Sequence, residues 1–94
     1  MFNIPQGYKY KQVSADAQIK SSKGRAFGIF CSTSSSLIVA LYDGTSTSDA
    51  AIIKDVTLVA ATSYVFPTGG VEFGNSGLYL EVVSGTGQAT VFYI

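Results

Sequence analysis

Six carboxylates carry whatever acid–base chemistry this 94-residue chain could perform: Asp16, Asp43, Asp49, Asp55, Glu72 and Glu81. None stands at a sequence spacing that pairs it with another for glycosidase-type catalysis, which needs two carboxyls across a cleft. The chain has no histidine, so its many serines lack the usual base that turns a hydroxyl into a nucleophile. Cys31 is the only cysteine, which excludes an internal disulfide, and a lone thiolate without histidine does not make a zinc site. Asp43 and Asp49 flank an oxygen-rich segment, but the EF-hand spacing is missing, so solvated turn residues are the expectation. No catalytic, cofactor or metal residue is assigned, and no enzyme is expected.

Two further stretches imitate binding motifs. Lys23-Gly24-Arg25-Ala26-Phe27-Gly28-Ile29-Phe30 has the basic and alternating aromatic character of an RNA-stacking strand. The net charge of zero and the absence of helices to back such a sheet favour a turn entering a core strand. Gly85-Thr86-Gly87 lacks the third glycine and the following helix of a phosphate cradle, and reads as a hairpin turn; Gly69-Gly70 reads as another turn. The aromatics Phe2, Tyr8, Tyr10, Tyr42, Tyr64, Phe66, Tyr79, Phe92 and Tyr93 are suited to stacking on sugars, though equally to protein interfaces.

The elements that must position these residues are all β. The chain is 47% hydrophobic and 13% charged, about half the usual ~25% charged fraction. Its length and first methionine lead us to expect one small domain and a complete short reading frame. A core of this size stabilises a fold only marginally, and with disulfide and zinc excluded, oligomerisation is the expected supplement. Turn-type clusters recur at Ser21–Gly24, Ser32–Ser36, Asp43–Asp49, Pro67–Gly70, Gly74–Gly77 and Ser84–Gly87, with runs rich in Val, Ile, Tyr, Phe and Thr between them. That rhythm predicts short strands near 8–13, 17–21, 26–31, 37–42, 51–58, 62–66, 71–73, 78–83 and 88–94, closing into a single antiparallel β-sandwich of about eight strands. Alternation places Leu78, Leu80 and Val82 on one face and Tyr79 and Glu81 on the other; Phe27, Ile29 and Cys31 oppose Phe30; Ala17 and Ile19 oppose Gln18 and Lys20. Asp43, before Gly44, is expected to bond its own backbone in a turn.

Two runs refuse to alternate. Leu37 to Tyr42 and Val91 to Ile94 have no polar face, and a strand apolar on both sides is buried on both sides. A neighbouring copy is the expected cover, with Ile38, Tyr42, Phe92 and Ile94 as the candidate oligomer interface. Residues 1–7 precede the first strand as an arm, and Phe2, Ile4 and Pro5 give it the apolar grip and stiffness of an anchor. All six cations lie at or before Lys54. MFNIPQG has neither the basic start nor the apolar stretch of a secretory signal, and no run reaches the length of a membrane helix, so synthesis in a cytoplasm, without membrane or nucleic-acid partners, is expected.

The segment from Ala26 through LYDGTS (41–46), then TSYVFP (62–67), then GLYLEVVSGTGQATVFY (77–93), resembles small structural proteins of tailed bacteriophages over residues 8–94. The shared features are the strand ending in LYDGTS, the Phe66-Pro67 pair, the strand opening Gly77-Leu78-Tyr79 and the terminal strand closing on Thr-Val-aromatic-Tyr. The resemblance implies a jelly-roll-like sandwich in the virion, often a homotrimer. It would act as a capsid decoration (cement) protein that clamps neighbouring subunits of the major capsid protein. The alternative it leaves is a small tail, neck or fibre module, or a carbohydrate (receptor)-binding sandwich. It brings no catalytic residue.

Overall fold

The computed structural model describes residues 9–94. They form one antiparallel sheet of seven strands: β1 (Lys9–Val13), β2 (Ala17–Lys20), β3 (Gly24–Asp43), β4 (Ala50–Thr57), β5 (Thr62–Val65), β6 (Val71–Phe73) and β7 (Leu78–Tyr93). The all-β expectation holds. The number of strands differs, because the predicted pairs 26–31 with 37–42 and 78–83 with 88–94 are each one continuous strand, of 20 and 16 residues.

β3 and β7 pair with each other along nearly their whole length, from Ala26 opposite Tyr93 to Asp43 opposite Leu78. This ribbon is the spine. β7 carries β1 on its outer side near Ala89–Tyr93 and β2 near Leu78–Leu80. β3 carries β6 beside Gly24–Ala26, β5 beside Gly28–Cys31 and β4 beside Ile38–Asp43. The sheet therefore has a first half built on the start of β3 and the end of β7, and a second half built on their other ends.

The polar clusters predicted as turns at Ser32–Ser36 and Ser84–Gly87 lie where the halves meet, inside the strands. There the ribbon takes up irregularities instead of reversing: the register shifts between Cys31 and Thr33, between Ser35 and Ile38, and between Ile38 and Val39. Extra residues in one strand bend it and raise its twist. Ser36 and Gly85, both at positive φ (54° and 80°), mark the sharpest place. Ser34 helps satisfy the backbone there: its Oγ donates to the Leu58 carbonyl (2.7 Å) and accepts from the Leu37 N–H (3.2 Å). Serine and glycine serve a bend for the same reason that they serve a turn, which is why composition does not separate the two.

One buried cluster draws on both halves: Ile29, Cys31, Ala89 and Val91 from the first, and Val39, Leu41, Leu78 and Leu80 from the second, with Leu37 and Leu58 between. The predicted faces follow for β7, where Leu78 and Leu80 are buried and Val82 packs on the core. In β3 the register shift between Ala26 and Gly28 makes Phe27 an extra residue, so Ala26 takes the core place that alternation gave to Phe27, which is half-buried. Ile19 is buried and Ala17 packs beside the core, as expected.

Asp43 departs from its predicted local turn. Its Oδ1 accepts the Gly74 N–H (2.8 Å), tying two loops together. The local role falls to Asp49, whose Oδ2 accepts the N–H groups of Thr45 (2.8 Å) and Ser46 (3.1 Å).

Candidate binding surfaces

The apolar end of the chain is explained first by pairing. β7 lies between β1 and β3, so Val91 is fully buried, and Ile94 exchanges backbone hydrogen bonds with Arg25 (2.9 and 3.1 Å). Pairing on both edges satisfies the backbone of β7, and its inner face packs on the core through Val91 and Tyr93, while Phe92 stays half-buried on the outer face. The other non-alternating run is also covered within one chain. Ala40 is closed off between Glu81, its direct neighbour on β7, and the irregular stretch of β4 near Lys54 and Asp55. Tyr42 is only 5% exposed, and its hydroxyl donates to Glu81 Oε1 at 2.9 Å.

The four residues singled out for an oligomer interface do not form one patch. Ile38 sits half-buried at the bend and Tyr42 is buried in the second half. Phe92 is half-buried on the first half, and Ile94 half-buried at the end of β7. The anchor residues Phe2, Ile4 and Pro5 lie outside the described residues.

The structure assembles a different surface, which the reading of single strands missed. On the outer side of the first half, register aligns Tyr10, Phe92, Gly28 and Val65 across four strands, with Gln12, Thr90, Phe30 and Ser63 as the next row. Tyr10 is 71% exposed and Val65 58%, while Phe92 and Phe30 are half-buried. An aromatic and aliphatic row beside amide and hydroxyl groups is the composition of a contact surface, apolar enough to gain by burial and polar enough to set orientation. The signal available in the sequence was the outward-facing parity of Tyr10, Phe30 and Phe92, but their alignment depends on register between strands from opposite ends of the chain.

The outer side of the second half carries a tyrosine–carboxylate group. The hydrogen bond to Glu81, then burial, then the charges of Glu81 and Asp55 push the Tyr42 phenol above its ordinary value. Tyr79, directly opposite Tyr42, is raised by burial first and then by the nearby Asp16 and Glu81. Asp16 is engaged in structure, since its Oδ1 accepts the Val82 N–H at 2.7 Å. Both phenols are thus neutral acids in the fold, and a raised folded-state pKa has a definite sign: the stabilisation is complete below the ordinary tyrosine value of about 10 and is lost as pH rises through the folded values. Urea midpoints measured from pH 8 to 11 are expected to fall above about pH 10. The fall should be shallower for Y42F/Y79F; equal slopes would show that neither phenol is linked to folding.

Cys31 is buried and its thiol donates to the Thr33 carbonyl (3.2 Å); burial pushes its pKa up, which suits a core residue and not a nucleophile. Among the described residues no three His, Cys, Asp or Glu side chains are grouped to hold a metal ion, and no helix is long and apolar enough to cross a membrane.

No protein-family model, no curated protein and no solved structure matches this chain, so its assignment rests on its own residues and surfaces.

Proposed function

We propose that this chain is a bacteriophage virion structural protein, a capsid decoration protein that acts as a homotrimer and clamps neighbouring capsid subunits. The observation that carries the reading is the row of Tyr10, Phe92 and Val65 that register aligns on the outer side of the first half, with Tyr10 and Val65 exposed. The likeness of the LYDGTS, TSYVFP and GLYLEVV segments to tailed-phage structural proteins supplies the setting. The finer architecture belongs to the same proposal: the sheet folds over at its bends into a two-layer, jelly-roll-like sandwich. Supporting this, residues of both halves share one core, and the Cα extents of 33 × 31 × 18 Å are those of a slab thick enough for two sheets at about 10 Å spacing.

Clamping works by linkage. A protein that binds the assembled lattice better than free subunits stabilises the lattice, and many copies multiply a modest contact. The protein is made in the host cytoplasm and resides in the virion; its partners are other copies of itself and the major capsid protein, without nucleic acid, membrane or cofactor.

The test joins mass and binding. Light scattering over a dilution series is expected to show a species near three times the 9.9 kDa chain mass. Expanded capsids of the phage that encodes it are expected to retain the protein, and Tyr10→Ser is expected to weaken retention about tenfold, as loss of an interface aromatic does. A monomer that ignores capsids would overturn the reading. A second reading, sugar binding by a receptor-binding or tail-fibre module, is favoured by Gln12 and Thr90 lying beside the Tyr10 and Phe92 rings; glycan retention abolished by the same substitution would select it.

A further inference from the structure

Three cations of this near-neutral protein converge on one open groove of about 330 Å³, where the two halves of the sheet meet at the end opposite the bend. Lys20 ends β2, Lys23 lies in the following turn and Arg25 opens β3. The Phe73 and Ile94 side chains supply apolar wall, and Glu72 is the one acidic side chain in the lining. Asp43, an acid of the second half on the same row as Leu78 and Lys20, accepts the Gly74 N–H.

The cations differ in what they already hold. Arg25 is anchored: one nitrogen donates to the Gly69 carbonyl (3.0 Å) and another pairs with Glu72 (3.2 Å). The Lys20 and Lys23 ammonium groups have no hydrogen bond or ion pair with any described residue. Lys20 is half-buried, and its Nζ lies 3.0 Å from where a side chain on Gly24 would begin. The missing side chain at Gly24 thus leaves the ammonium standing in the groove between Ile94 and Phe73.

We propose that this groove is a binding site for an acidic segment of a partner protein, one in which carboxylates flank an apolar side chain. Charge complementarity selects the carboxylates, with Lys20 and Lys23 as the free donors. The Phe73 and Ile94 wall selects the apolar neighbour. Three cations offset by Glu72 suit a short acidic peptide and not a polyanion, whose binding relies on many phosphate contacts. The site lies at the opposite end of the sheet from the bend and adds the chemistry of a partner to the reading of the chain as a contact-making structural protein.

The test uses the full chain and two amidated hexapeptides, EFEELE and its uncharged counterpart QFQQLQ. By NMR titration at low salt, EFEELE is expected to bind at about 100 µM, moving the amides of Lys23, Gly24 and Arg25, and to weaken several-fold at 0.2 M salt as charge is screened. K20Q/K23Q is expected to weaken it at least about fivefold and K54Q to leave it unchanged. The melting temperature should hold within about 2 °C in both, since neither lysine head group has a partner to lose. Should the double variant misfold, the exposed-site variant K23Q alone is expected to weaken binding about twofold. Equal binding of both peptides, binding indifferent to the lysine substitutions, or tighter binding of inorganic phosphate or of a single-stranded oligonucleotide would each overturn the proposal. Capsid retention that survives K20Q/K23Q would remove the groove from that contact while leaving the decoration reading intact.

Discussion

Leu80→Ala is expected to cost the fold about 3–4 kcal/mol and to lower its melting temperature by roughly 15–25 °C. Leu80 is fully buried on the central strand β7, directly opposite Leu41, which is also fully buried, with Ala17 of β2 on its other flank. Truncation removes apolar contact and leaves a cavity between two strands that cannot close up, because their backbones are held by pairing on both sides. A domain of this size has a net stability of roughly 5–14 kcal/mol, so this one change removes a large share of it. Val83→Ala, on the same strand but at an exposed side chain, is the control and should cost less than about 1 kcal/mol. Denaturant unfolding of the three proteins checks the expectation; a Leu80→Ala loss no larger than the control would mean that Leu80 is not in a closely packed core.

Gly85→Ala is expected to be nearly as damaging, for a backbone reason. Gly85 has φ of 80°, a conformation that L side chains rarely adopt, and an added Cβ would collide with the main-chain carbonyl of Ser36 across the bend. The positive φ alone costs about 1–2 kcal/mol, and relief of the collision requires the two longest strands to separate at the place where the ribbon bends. We expect a total loss of about 2–4 kcal/mol. The opposite change, Ser36→Gly, relaxes a non-glycine residue at φ of 54° and should gain up to about 1 kcal/mol. Thermal melts of the two variants test the bend directly. If Gly85→Ala melts like the parent protein, the ribbon does not pass through this conformation.

The same bend shows where reading the sequence stops. The strand content was legible, because alternating and continuous apolar runs carry it locally: Leu78, Leu80 and Val82 reveal their face without knowledge of any partner. The polar interruptions at Ser32–Ser36 and Ser84–Gly87 were visible too, but a turn that reverses a chain and a bend inside a strand call for the same residues. What distinguishes them is whether the segments on either side share a neighbour. β3 and β7 are each other's neighbour on both sides of the bend, a fact fixed by pairing between residues far apart in sequence.

The apolar runs carry the same lesson for the candidate surfaces. Leu37–Tyr42 and Val91–Ile94 announced burial on more than one side, and residue type alone required that something cover them. Long-range pairing supplies the cover: Ala40 and Tyr42 are enclosed by their own chain, with the Tyr42 hydroxyl bound to Glu81, and Val91 lies in a strand paired on both edges. Tyr10, Phe92 and Val65 look unremarkable in their separate strands and become a row only when register aligns them. Lys20 and Arg25 lie close in sequence, but Phe73 and Ile94 join them in a groove only because β6 and the end of β7 arrive beside the start of β3. Residue type and alternation act over a few positions and set composition, strand content and inner faces. Surfaces are sums over strands, and the long-range pairing that builds them is chosen by the packing of the whole sheet.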